Sequence, residues 1–526
     1  MTPQGPANAA AAVEIDPQGR ALDFLDSSSF GVAKGGKRID THASVVFLGG
    51  ARALKIKRAV RLPFLDYSTL EKRKRACEEE LKVNADNAPE IYRRVVAITR
   101  GRDGLLEIGG VGTPIEWAVE MTRFDEEQTL DRIAEKHPIE PSLAVALADT
   151  ILQSHNKTPH ASGEAWLSSI TSLIDRNTAK FHAVCGLDAA DVDRLDVRSH
   201  RSLARLGVLL KRRASQGFVR RCHGDLHLAN IALVDGRPVL FDAIEFNPDF
   251  ATTDILYDLA FTLMDLVHFN QGAAANVLFN RYLAGASDEN LDDLGVLPLF
   301  LSMRAAIRAH VLFTKSEQAP HGEAARQEAK RYFDLAGRLV MPTAPLLVAI
   351  GGLSGTGKSV LARGLAGLIA PPPGAVIIRS DVVRKRLFDV KETTPLPEVA
   401  YRADATERVY YMLSKAAQRI LAQGCSVMLD AAFLQEMERA GLAGLARKYH
   451  ARFVGLFLTA DLVSRLARIE RRANDASDAT LDVALKQETF AIGALDWHVV
   501  DASGTPDDTL RRALVSEPAL AQGEEG

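Results

Sequence analysis

The stretch LLVAIGGLSGTGKS, residues 346–359, decides the fold of the C-terminal third of the chain. Its apolar first half predicts a buried strand, and the glycine-rich turn after it leads into a helix-compatible run, VLARGLAGLI. Residues 352–359 fit the P-loop pattern G-x-x-x-x-G-K-S/T. In that pattern, glycines let backbone N–H groups close around phosphate oxygens, and the N-terminus of the following helix adds positive potential. The stretch therefore predicts a nucleotide site.

The P-loop pattern also assigns side chains to the nucleotide. Lys358 is expected to reach the outer phosphates, and Ser359 is expected to hold Mg²⁺. The backbone that cradles the phosphates is expected to come from Gly352, Ser354, Gly355, Thr356 and Gly357. The alternative is a glycine-rich turn that fits the pattern by accident. The predicted strand before the loop and the predicted helix after it disfavour that alternative.

The composition is that of a globular protein with more than one domain. Its 526 residues exceed one ordinary core, so two or three domains are expected. The 64 Lys and Arg against 67 Asp and Glu give a net charge of −3, which indicates neither nucleic acid nor an anionic membrane as a partner. Four scattered cysteines suggest neither a disulfide framework nor a zinc site. No membrane-spanning run and no secretion signal are evident, so a cytoplasmic location is expected.

Strands and helices alternate after the P-loop. Four further strands are predicted, AVIIRSD, SVMLDAAF, RFVGLFLT and WHVVDAS, with helix-compatible runs among them. The alternation predicts an α/β fold with a parallel sheet sandwiched by helices. Ligands of such sheets bind beyond the carboxyl ends of the strands, where Asp381, Asp430 and Asp501 are predicted to lie. Asp430 is the expected carboxylate that supports Mg²⁺.

Asp381 and Arg384, one helical turn apart, resemble the acceptor site of small P-loop kinases of the gluconate kinase, polynucleotide kinase and zeta-toxin types. The resemblance implies that Asp381 orients or deprotonates the accepting hydroxyl; the alternative is a helix N-cap. The basic run RLARIERR, residues 465–472, resembles their lid, with Arg468 and Arg472 on one face closing over the transferred phosphate. The alternative for that run is a solvated charged helix. A AAA-type motor is disfavoured, because the chain after the P-loop has no room for a sensor region and an oligomer-forming helical subdomain.

A second set of signals lies far upstream of the P-loop. Two strands, ASVVFL and ALKIK, meet at a glycine turn, and a charged helix and two further strands follow. This order resembles the small lobe of a protein-kinase-like fold, in which a strand lysine pairs with nucleotide phosphates and with a helix glutamate. The resemblance implies Lys55 as that lysine, with Lys57 as the alternative. Glu80 is its expected partner, while Glu78 and Glu79 stay open.

The stretch RCHGDLHLANIALVDGRPVLFDAIEFN, residues 221–247, carries the second catalytic pattern. Asp225 and Asn230 keep the D-x-x-x-x-N spacing of a kinase catalytic loop, and two short strands then bring Asp242 beside it. The combination resembles the aminoglycoside phosphotransferase family, relatives of choline and fructosamine kinases. It implies Asp225 as the base that takes the hydroxyl proton, Asn230 and Asp242 as Mg²⁺ ligands, and Asp258 as a structural brace. The alternative is a hydrogen-bonded turn without catalysis.

The predicted architecture has two catalytic domains. We expect a first domain of the α+β, bilobal protein-kinase-like fold over residues 21–341 and an α/β P-loop domain over residues 342–515. The boundary is set at MPTAP, where two prolines in five residues interrupt any helix. Residues 1–20 and 516–526 are predicted to be disordered tails. The whole pattern resembles a bacterial fusion of an aminoglycoside phosphotransferase-like domain with a C-terminal P-loop kinase.

The resemblances imply a bifunctional ATP-dependent phosphotransferase with ATP and Mg²⁺ as cofactors. Each domain is expected to move the γ-phosphate of ATP to a hydroxyl of a small molecule. No aromatic-rich basic groove is evident, so we expect no nucleic-acid partner, and no membrane partner either. Three alternatives stay open: one domain regulates the other as a nucleotide-binding module, the protein inactivates aminoglycosides, or it phosphorylates polynucleotide 5′-hydroxyls. The sequence names neither acceptor and sets no oligomeric state.

Overall fold

The computed structural model describes residues 17–62, 65–286, 291–318, 322–472 and 475–520. By backbone contacts, the chain forms two compact units. The first unit comprises Met1–Leu130, His223–Asp225 and Ala229–Ala251, and the second comprises Asp131–Cys222, Leu226–Leu228 and Thr252–Gly526. The P-loop domain therefore shares the second unit with most of the helical part of the first domain. The predicted domain boundaries stay predictions.

The described residues form eighteen α-helices and seventeen β-strands. The helices are α1 (Pro17–Ser27), α2 (Leu70–Asn84), α3 (Leu130–Lys136), α4 (Pro141–Lys157), α5 (Glu164–Ala183), α6 (Ala189–Ser215), α7 (Pro248–Ala251), α8 (Ile255–His268), α9 (Gly272–Gly285), α10 (Leu297–Gln318), α11 (Glu323–Leu339), α12 (Lys358–Ala366), α13 (Ser380–Leu387), α14 (Ala403–Leu421), α15 (Glu436–Lys448), α16 (Leu462–Glu470), α17 (Leu481–Gln487) and α18 (Pro506–Ser516). The strands are β1 (Lys37–Asp40), β2 (Ser44–Gly49), β3 (Arg52–Lys57), β4 (Arg61–Leu62), β5 (Leu65–Asp66), β6 (Tyr92–Arg100), β7 (Leu106–Ile108), β8 (Thr113–Thr122), β9 (Val219–Arg221), β10 (Ile231–Val234), β11 (Arg237–Leu240), β12 (Thr252–Asp254), β13 (Leu346–Gly352), β14 (Val376–Arg379), β15 (Val427–Asp430), β16 (Arg452–Thr459) and β17 (His498–Asp501).

The first unit is built on a six-stranded antiparallel sheet with the order β1-β2-β3-β8-β6-β7. Alternation along β3 sorts its side chains between the two faces of the sheet. Leu54 and Ile56 join the core beneath α1, whereas Lys55 and Lys57 point to the face that α2 covers. The helix α2 begins after its N-cap Thr69, whose side chain accepts a hydrogen bond from a backbone N–H. This is the α+β small lobe that the sequence predicts, with α1, β1 and β7 added to it.

Described elements overlap both predicted tails. The helix α1 begins at Pro17, inside the tail predicted for residues 1–20, because its apolar side chains join the core of the first sheet. At the other end, α18 and a 3₁₀ turn run to Leu520, inside the tail predicted for residues 516–526. The remaining tail residues lie outside the described part of the chain.

Helices α4, α5, α6 and α8 to α11 fill most of the second unit ahead of the P-loop. The helix α10 packs on α8 and α11, and α4 packs on α9. One helical segment, Leu294–Glu317, is long and apolar enough to cross a membrane, although no such run was predicted. Of its most apolar window, 67% is buried within the fold, as in the core helix of a soluble protein.

The P-loop strand β13 lies at the centre of a five-stranded parallel sheet with the order β14-β15-β13-β16-β17. All of its residues are buried. One core cluster joins β13 to α12 and α18 through residues such as Val348, Leu361 and Ala513, and α14 and α15 pack against the same sheet. The predicted parallel sheet between helices is confirmed.

Candidate active sites

Lys55 lies between two carboxylates in the first unit. Its Nζ is 2.8 Å from Glu80 Oε1 and 2.5 Å from Asp242 Oδ1. The Glu80 side chain has no exposed surface, whereas the Asp242 side chain is 42% exposed. Burial lowers the pKa of Lys55, but the charges of Asp242 and Glu80 outweigh it and hold that pKa well above the usual lysine range. Three predicted site residues therefore meet here, around a lysine that is charged.

The structure distinguishes the three glutamates that the sequence left open. A helix turns by about 100° per residue, so consecutive side chains face different directions. Glu78 pairs with Lys74 at 3.5 Å and Glu79 with Lys82 at 3.6 Å, and both glutamates are about half exposed. Of the three, Glu80 is the one that faces the sheet and its lysines.

A second lysine shares Glu80. Residues two apart on a strand point to the same face, so Lys57 lies beside Lys55, and its Nζ is 2.6 Å from Glu80 Oε2. Lys57 also pairs with Glu245, which accepts a hydrogen bond from the Tyr67 hydroxyl at 3.0 Å. The Lys57 side chain is 2% exposed, against 13% for Lys55. Lys55 is therefore the more accessible lysine of the pair, and Lys57 holds Glu80 through its second carboxylate oxygen.

The loop before β10 carries the predicted base. Asn230 Nδ2 donates to the backbone oxygen of Asp225 at 2.8 Å and to its Oδ2 at 3.1 Å. The His223 ring bonds the backbone oxygen of Phe241 at 2.9 Å, which ties this loop to the residue before Asp242. The structure thus brings the predicted base and the two predicted Mg²⁺ ligands onto two loops that are joined by a hydrogen bond.

Two residues that carry no motif hold Asp242 in place. Asp242 has a left-handed backbone with φ of 63°, a conformation that residues other than glycine rarely adopt. Its N–H donates to Tyr92 Oη at 3.2 Å, and the N–H of Ala243 donates to Asn84 Oδ1 at 2.9 Å. Tyr92 also donates to Glu80 at 3.4 Å. Sequence reasoning missed both residues, because their partners lie far away along the chain.

Asp258 lies in a buried network of the second unit. Its Oδ2 is 3.2 Å from His155 Nε2, and the other ring nitrogen of His155 is 2.9 Å from the Tyr282 hydroxyl. The guanidinium group of Arg304 lies 3.7 Å from the second Asp258 oxygen. The Asp258 side chain has no exposed surface. These contacts join α8 to α4, α9 and α10, and the role predicted for Asp258, a brace for the loop of Asp225, stays a prediction.

The P-loop closes around the side chain of Lys358. The Lys358 Nζ donates to the backbone oxygens of Gly352 at 2.9 Å and Leu353 at 3.1 Å, and burial lowers its pKa. Gly355 has φ of 85°, and a Cβ at this position would lie 2.7 Å from the backbone oxygen of Arg465. Only glycine fits so close to another backbone at that φ.

Ser359 and Asp430, the two predicted Mg²⁺ ligands of the P-loop domain, are in direct contact. Ser359 Oγ donates to Asp430 Oδ2 at 2.5 Å. Arg379 Nε lies 3.3 Å from the same oxygen, and Arg379 Nη2 donates to Asp475 Oδ1 at 2.8 Å. Sequence reasoning missed Arg379, although its place at the end of a predicted strand was a usable signal. Asp501, predicted near the phosphates, is exposed and pairs with an arginine of α18 instead.

Asp381 is the second residue of α13 and not its N-cap. The helix begins at Ser380, and Arg379 holds the N-cap position without a side-chain capping bond. Burial and the charge of Asp430 raise the pKa of Asp381 above the usual carboxyl range. The N-cap alternative is therefore wrong, and a carboxylate with a perturbed pKa remains as a candidate for chemistry.

A cleft of about 750 Å³ opens beside the P-loop. Six predicted residues line it: Lys358, Ser359, Asp381, Arg384, Asp430 and Arg472. It is also lined by three residues of the predicted phosphate cradle, Ser354, Gly355 and Gly357. Arg384 is buried; its Nη1 donates to the backbone oxygen of Ala400 at 2.5 Å, and its guanidinium group lies over the Tyr401 ring. Arg472 Nη1 is buried and has no hydrogen-bond partner among the described residues, so it is available to an anion.

The predicted lid helix ends early. The helix α16 stops at Glu470, so Arg472 leaves the face that it was predicted to share with Arg468. Arg465 is 1% exposed, and its Nε donates to the backbone oxygen of Ser354 at 2.8 Å, which makes it a brace for the P-loop. Neither a continuous helical lid nor a solvated charged helix describes this run.

Arg468 lies at a second pocket, of about 360 Å³, next to the P-loop. Its Nη2 donates to the backbone oxygen of Ala502 at 2.7 Å. Residues 355–357 and Pro506 line the same pocket. Of the predicted phosphate cradle, Thr356 lines this pocket but not the cleft. Arg468 lines this pocket and not the cleft beside Asp381, and its predicted place over the transferred phosphate stays a prediction.

Two family models match parts of the chain that include residues of both sites, although Lys55 precedes the first match. Residues 73–294 match the model of the phosphotransferase enzyme family, and residues 347–490 match a family model described as an AAA domain. The first match spans the catalytic loop, and the second spans the P-loop and the cleft. The protein is an ATP-dependent phosphotransferase. Along the chain, the residues that match the phosphotransferase enzyme family precede those that match the AAA domain model.

Relatives of this phosphotransferase share both parts of the chain. Uncharacterized proteins of Mycobacterium bovis and Mycobacterium tuberculosis are 29% identical to it over 489 residues, which cover 90% of this chain and 94% of theirs. A gluconokinase from Sinorhizobium meliloti is 19% identical, with a TM-score of 0.25, over 34% of this chain and 94% of its own. A choline/ethanolamine kinase family protein from Mesorhizobium loti is 13% identical, with a TM-score of 0.36, over 62% of this chain and 99% of its own. Similarity to solved structures at this level adds no argument to the family matches.

Proposed function

We propose that the phosphotransferase is bifunctional, with one phosphotransfer site in each domain. Each site moves the γ-phosphate of ATP to a hydroxyl of a small molecule, with Mg²⁺ on the phosphates. One observation carries the proposal, namely two separate sets in which a lysine lies near carboxylates. The sets are Lys55 with Glu80 and Asp242, and Lys358 with Asp430 and Asp381. Each domain also has its own predicted base, Asp225 in the first and Asp381 in the second, so each has reacting groups of its own.

In the first domain, Lys55 binds phosphate oxygens while the buried Glu80 holds it in place. Asp242 and Asn230 offer the oxygen ligands that Mg²⁺ prefers, and the Asp242 carboxylate is exposed enough to be reached. Bound Mg²⁺ supplies neutralisation of the phosphate charge. Asp225 takes the proton of the accepting hydroxyl, and the Asn230 amide that donates to its Oδ2 fixes its orientation.

In the P-loop domain, the two pockets divide the substrates between them. Lys358 and the loop N–H groups bind the phosphates, and the pocket beside Arg468 takes the nucleoside. The larger cleft takes the acceptor, and Asp381 receives its proton, for which a raised carboxyl pKa is suited. The oxygens of Ser359 and Asp430 fit Mg²⁺, which supplies the same charge neutralisation here.

The acceptors are proposed to be small hydroxylated molecules. A cleft of about 750 Å³ is within the range of small-molecule sites, which runs from about 300 to 1,000 Å³. We infer no nucleic-acid or membrane partner, and we place the protein in the cytoplasm, where ATP is supplied. Mass spectrometry of a clarified extract incubated with the protein and labelled ATP would name the acceptors directly.

Mg-ATP consumption over a panel of hydroxylated metabolites tests the proposal. The variants are Asp225→Ala and Lys358→Ala, with Lys330→Ala, an exposed lysine on α11, as the control. Two independent kinases predict that each site variant abolishes a different activity and that the control loses none. If one site variant keeps every activity at the wild-type rate, the catalytic claim for its domain fails. If both variants lose the same single activity, one domain regulates the other.

A further inference from the structure

The helix α9 belongs to the first domain, yet it packs on the P-loop domain. It contacts α12, the helix that begins with Lys358, and its side chains reach β14. The backbones at Gly272 of α9 and at Gly367, just after α12, lie close together. A Cβ added at Gly367 would lie 3.0 Å from the backbone oxygen of Gly272. The P-loop domain is therefore seated on a helix of its neighbour.

Asn280, on α9, contacts β14 as a neighbouring strand would. Since β14 is the edge strand of the parallel sheet, one row of its backbone groups has no strand partner. Asn280 Nδ2 donates to the backbone oxygen of Ala375 at 3.1 Å, and its Oδ1 accepts a hydrogen bond from the N–H of Ile377 at 2.8 Å. A single side-chain amide thus satisfies one acceptor and one donor of this edge.

Asn276, one turn earlier on α9, extends the contact. Its Nδ2 donates to the backbone oxygens of Pro373 and Ala375, both at 3.0 Å. Its Oδ1 accepts a hydrogen bond from Asn280 Nδ2 at 3.1 Å, and the residue is 2% exposed. The two asparagines form one buried network, in which the loss of a member leaves buried backbone groups without a partner.

The strand β14 leads directly to the reacting groups of the cleft. It ends at Arg379, which pairs with Asp430 and Asp475, and Asp381 follows two residues later. Lys358, in contrast, is positioned by the central strand β13 and its loop. A shift of β14 against the sheet therefore changes the distance between Asp381 and the phosphates.

A second contact ties the same side of the cleft to the first domain. Asp292 pairs with Arg419 on α14 at 2.6 Å, and Gln423 Nε2 donates to the backbone oxygen of Leu291 at 2.6 Å. The helix α14 carries Tyr410, which lines the cleft. Two of the elements that form the acceptor side of the P-loop site thus rest on the neighbouring domain.

We propose that Asn280 is a positioning residue for phosphotransfer in the P-loop domain. By holding β14, it keeps Asp381 and Arg379 at the distance from the P-loop that the reaction requires. A displacement of about 1 Å in a site of this kind costs up to about a hundredfold in rate. The inference rests on the proposed function of the P-loop domain as a kinase, and it makes turnover in that domain depend on a helix of its neighbour.

Asn280→Leu tests the inference, because leucine has the same branching at Cγ and makes neither hydrogen bond. Arg281→Gln is the matched control, since Arg281 is next on the helix and pairs with Asp149 within the first domain. Both are made in the full-length protein carrying Asp225→Ala, so that Mg-ATP turnover reports the P-loop site. In Asn280→Leu we expect kcat to fall about tenfold or more, the KM for ATP to change less than about twofold, and the amides of residues 375–381 to exchange faster with deuterium. The control should match its parent.

An unchanged kcat in Asn280→Leu overturns the inference. An equal loss of the Asp225-dependent activity, with Asn280→Leu made alone, also overturns it, because such a loss is general destabilisation. If Asn280→Leu does not fold, Asn280→Ala decides by the same measurements, since it also removes the acceptor for the Ile377 N–H and adds no volume. Again a lower kcat supports the inference and an unchanged kcat overturns it. Absence of all Lys358-dependent turnover in the parent would instead refute the proposed function itself.

Discussion

Glu80→Gln removes one charge that two lysines share. Glu80 Oε1 lies 2.8 Å from Lys55 Nζ, Oε2 lies 2.6 Å from Lys57 Nζ, and the side chain has no exposed surface. Glutamine keeps the shape but leaves only a neutral amide to face two ammonium groups. Each lysine retains a second carboxylate, Asp242 or Glu245, so neither charge is left alone.

The expected loss of stability is large for one substitution. Breaking a buried ion pair from one side costs about 3–5 kcal/mol, and the retained carboxylates place this case at the lower end. A loss of about 3 kcal/mol lowers the Tm of a unit of this size by about 6–12 °C. The Asp225-dependent turnover should also fall on the order of 10²-fold, because Lys55 loses the group that orients it toward the phosphates.

Differential scanning calorimetry and Mg-ATP turnover measure these two effects. Glu79→Gln is the matched control, since it makes the same change one residue away on α2, at a half-exposed side chain paired with Lys82. The control should stay within about 0.5 kcal/mol of the wild type and keep its turnover. If the two variants behave alike, the buried cluster does not orient Lys55, and the reasoning is refuted.

Three further predictions concern the P-loop domain. Asp381→Asn should lower the Lys358-dependent kcat on the order of 10²-fold. In the wild type that kcat should rise as the pH passes through the pKa of Asp381, because the base acts only when it is deprotonated; burial raises this pKa. A pH–rate profile of Asp381→Asn should lack that rise. Gly355→Ala should abolish ATP binding in calorimetry, because the backbone at Gly355 has φ of 85°. Gly364→Ala is the control: its added carbon meets only ordinary contacts at 3.6 Å, so Tm should stay unchanged or rise. In steady-state kinetics, Arg468→Ala should raise the KM for ATP and Arg472→Ala should lower kcat; the reverse pattern would contradict the assignment of the two pockets.

Short sequence motifs predicted the candidate site residues of this protein. Lys358 and Ser359 are neighbours in the chain, and Asp225 and Asn230 are five positions apart, so spacing alone specifies their joint presence. The parallel sheet was equally readable, because its alternation of strands and helices is a local property repeated along the chain. Both are cases in which the sequence signal lies within one turn or one supersecondary unit.

The sequence predictions were wrong where they depended on the residue at which a helix begins or ends. The predicted lid assumed a helix through Arg472, but α16 stops at Glu470, two residues earlier, so Arg472 does not share a helical face with Arg468. Arg468 lines one of the two pockets and Arg472 lines both. Likewise Asp381 was weighed as an N-cap, and the start of α13 at Ser380 excludes that role. Helix ends are set by tertiary contacts as much as by local preference, so sequence patterns place them poorly.

The sequence by itself indicated two folds and, in each of them, a candidate phosphate-binding lysine and a candidate base. Only the tertiary structure decided which neighbours these groups have. Lys55 contacts Glu80, which is 25 positions away in the sequence, and Asp242, which is 187 positions away. Asn280 and Ile377 are 97 positions apart. Such contacts leave no local pattern, because they depend on which faces of separate elements pack together. For the same reason, the support that β14 receives from α9 became visible only when the chain was folded.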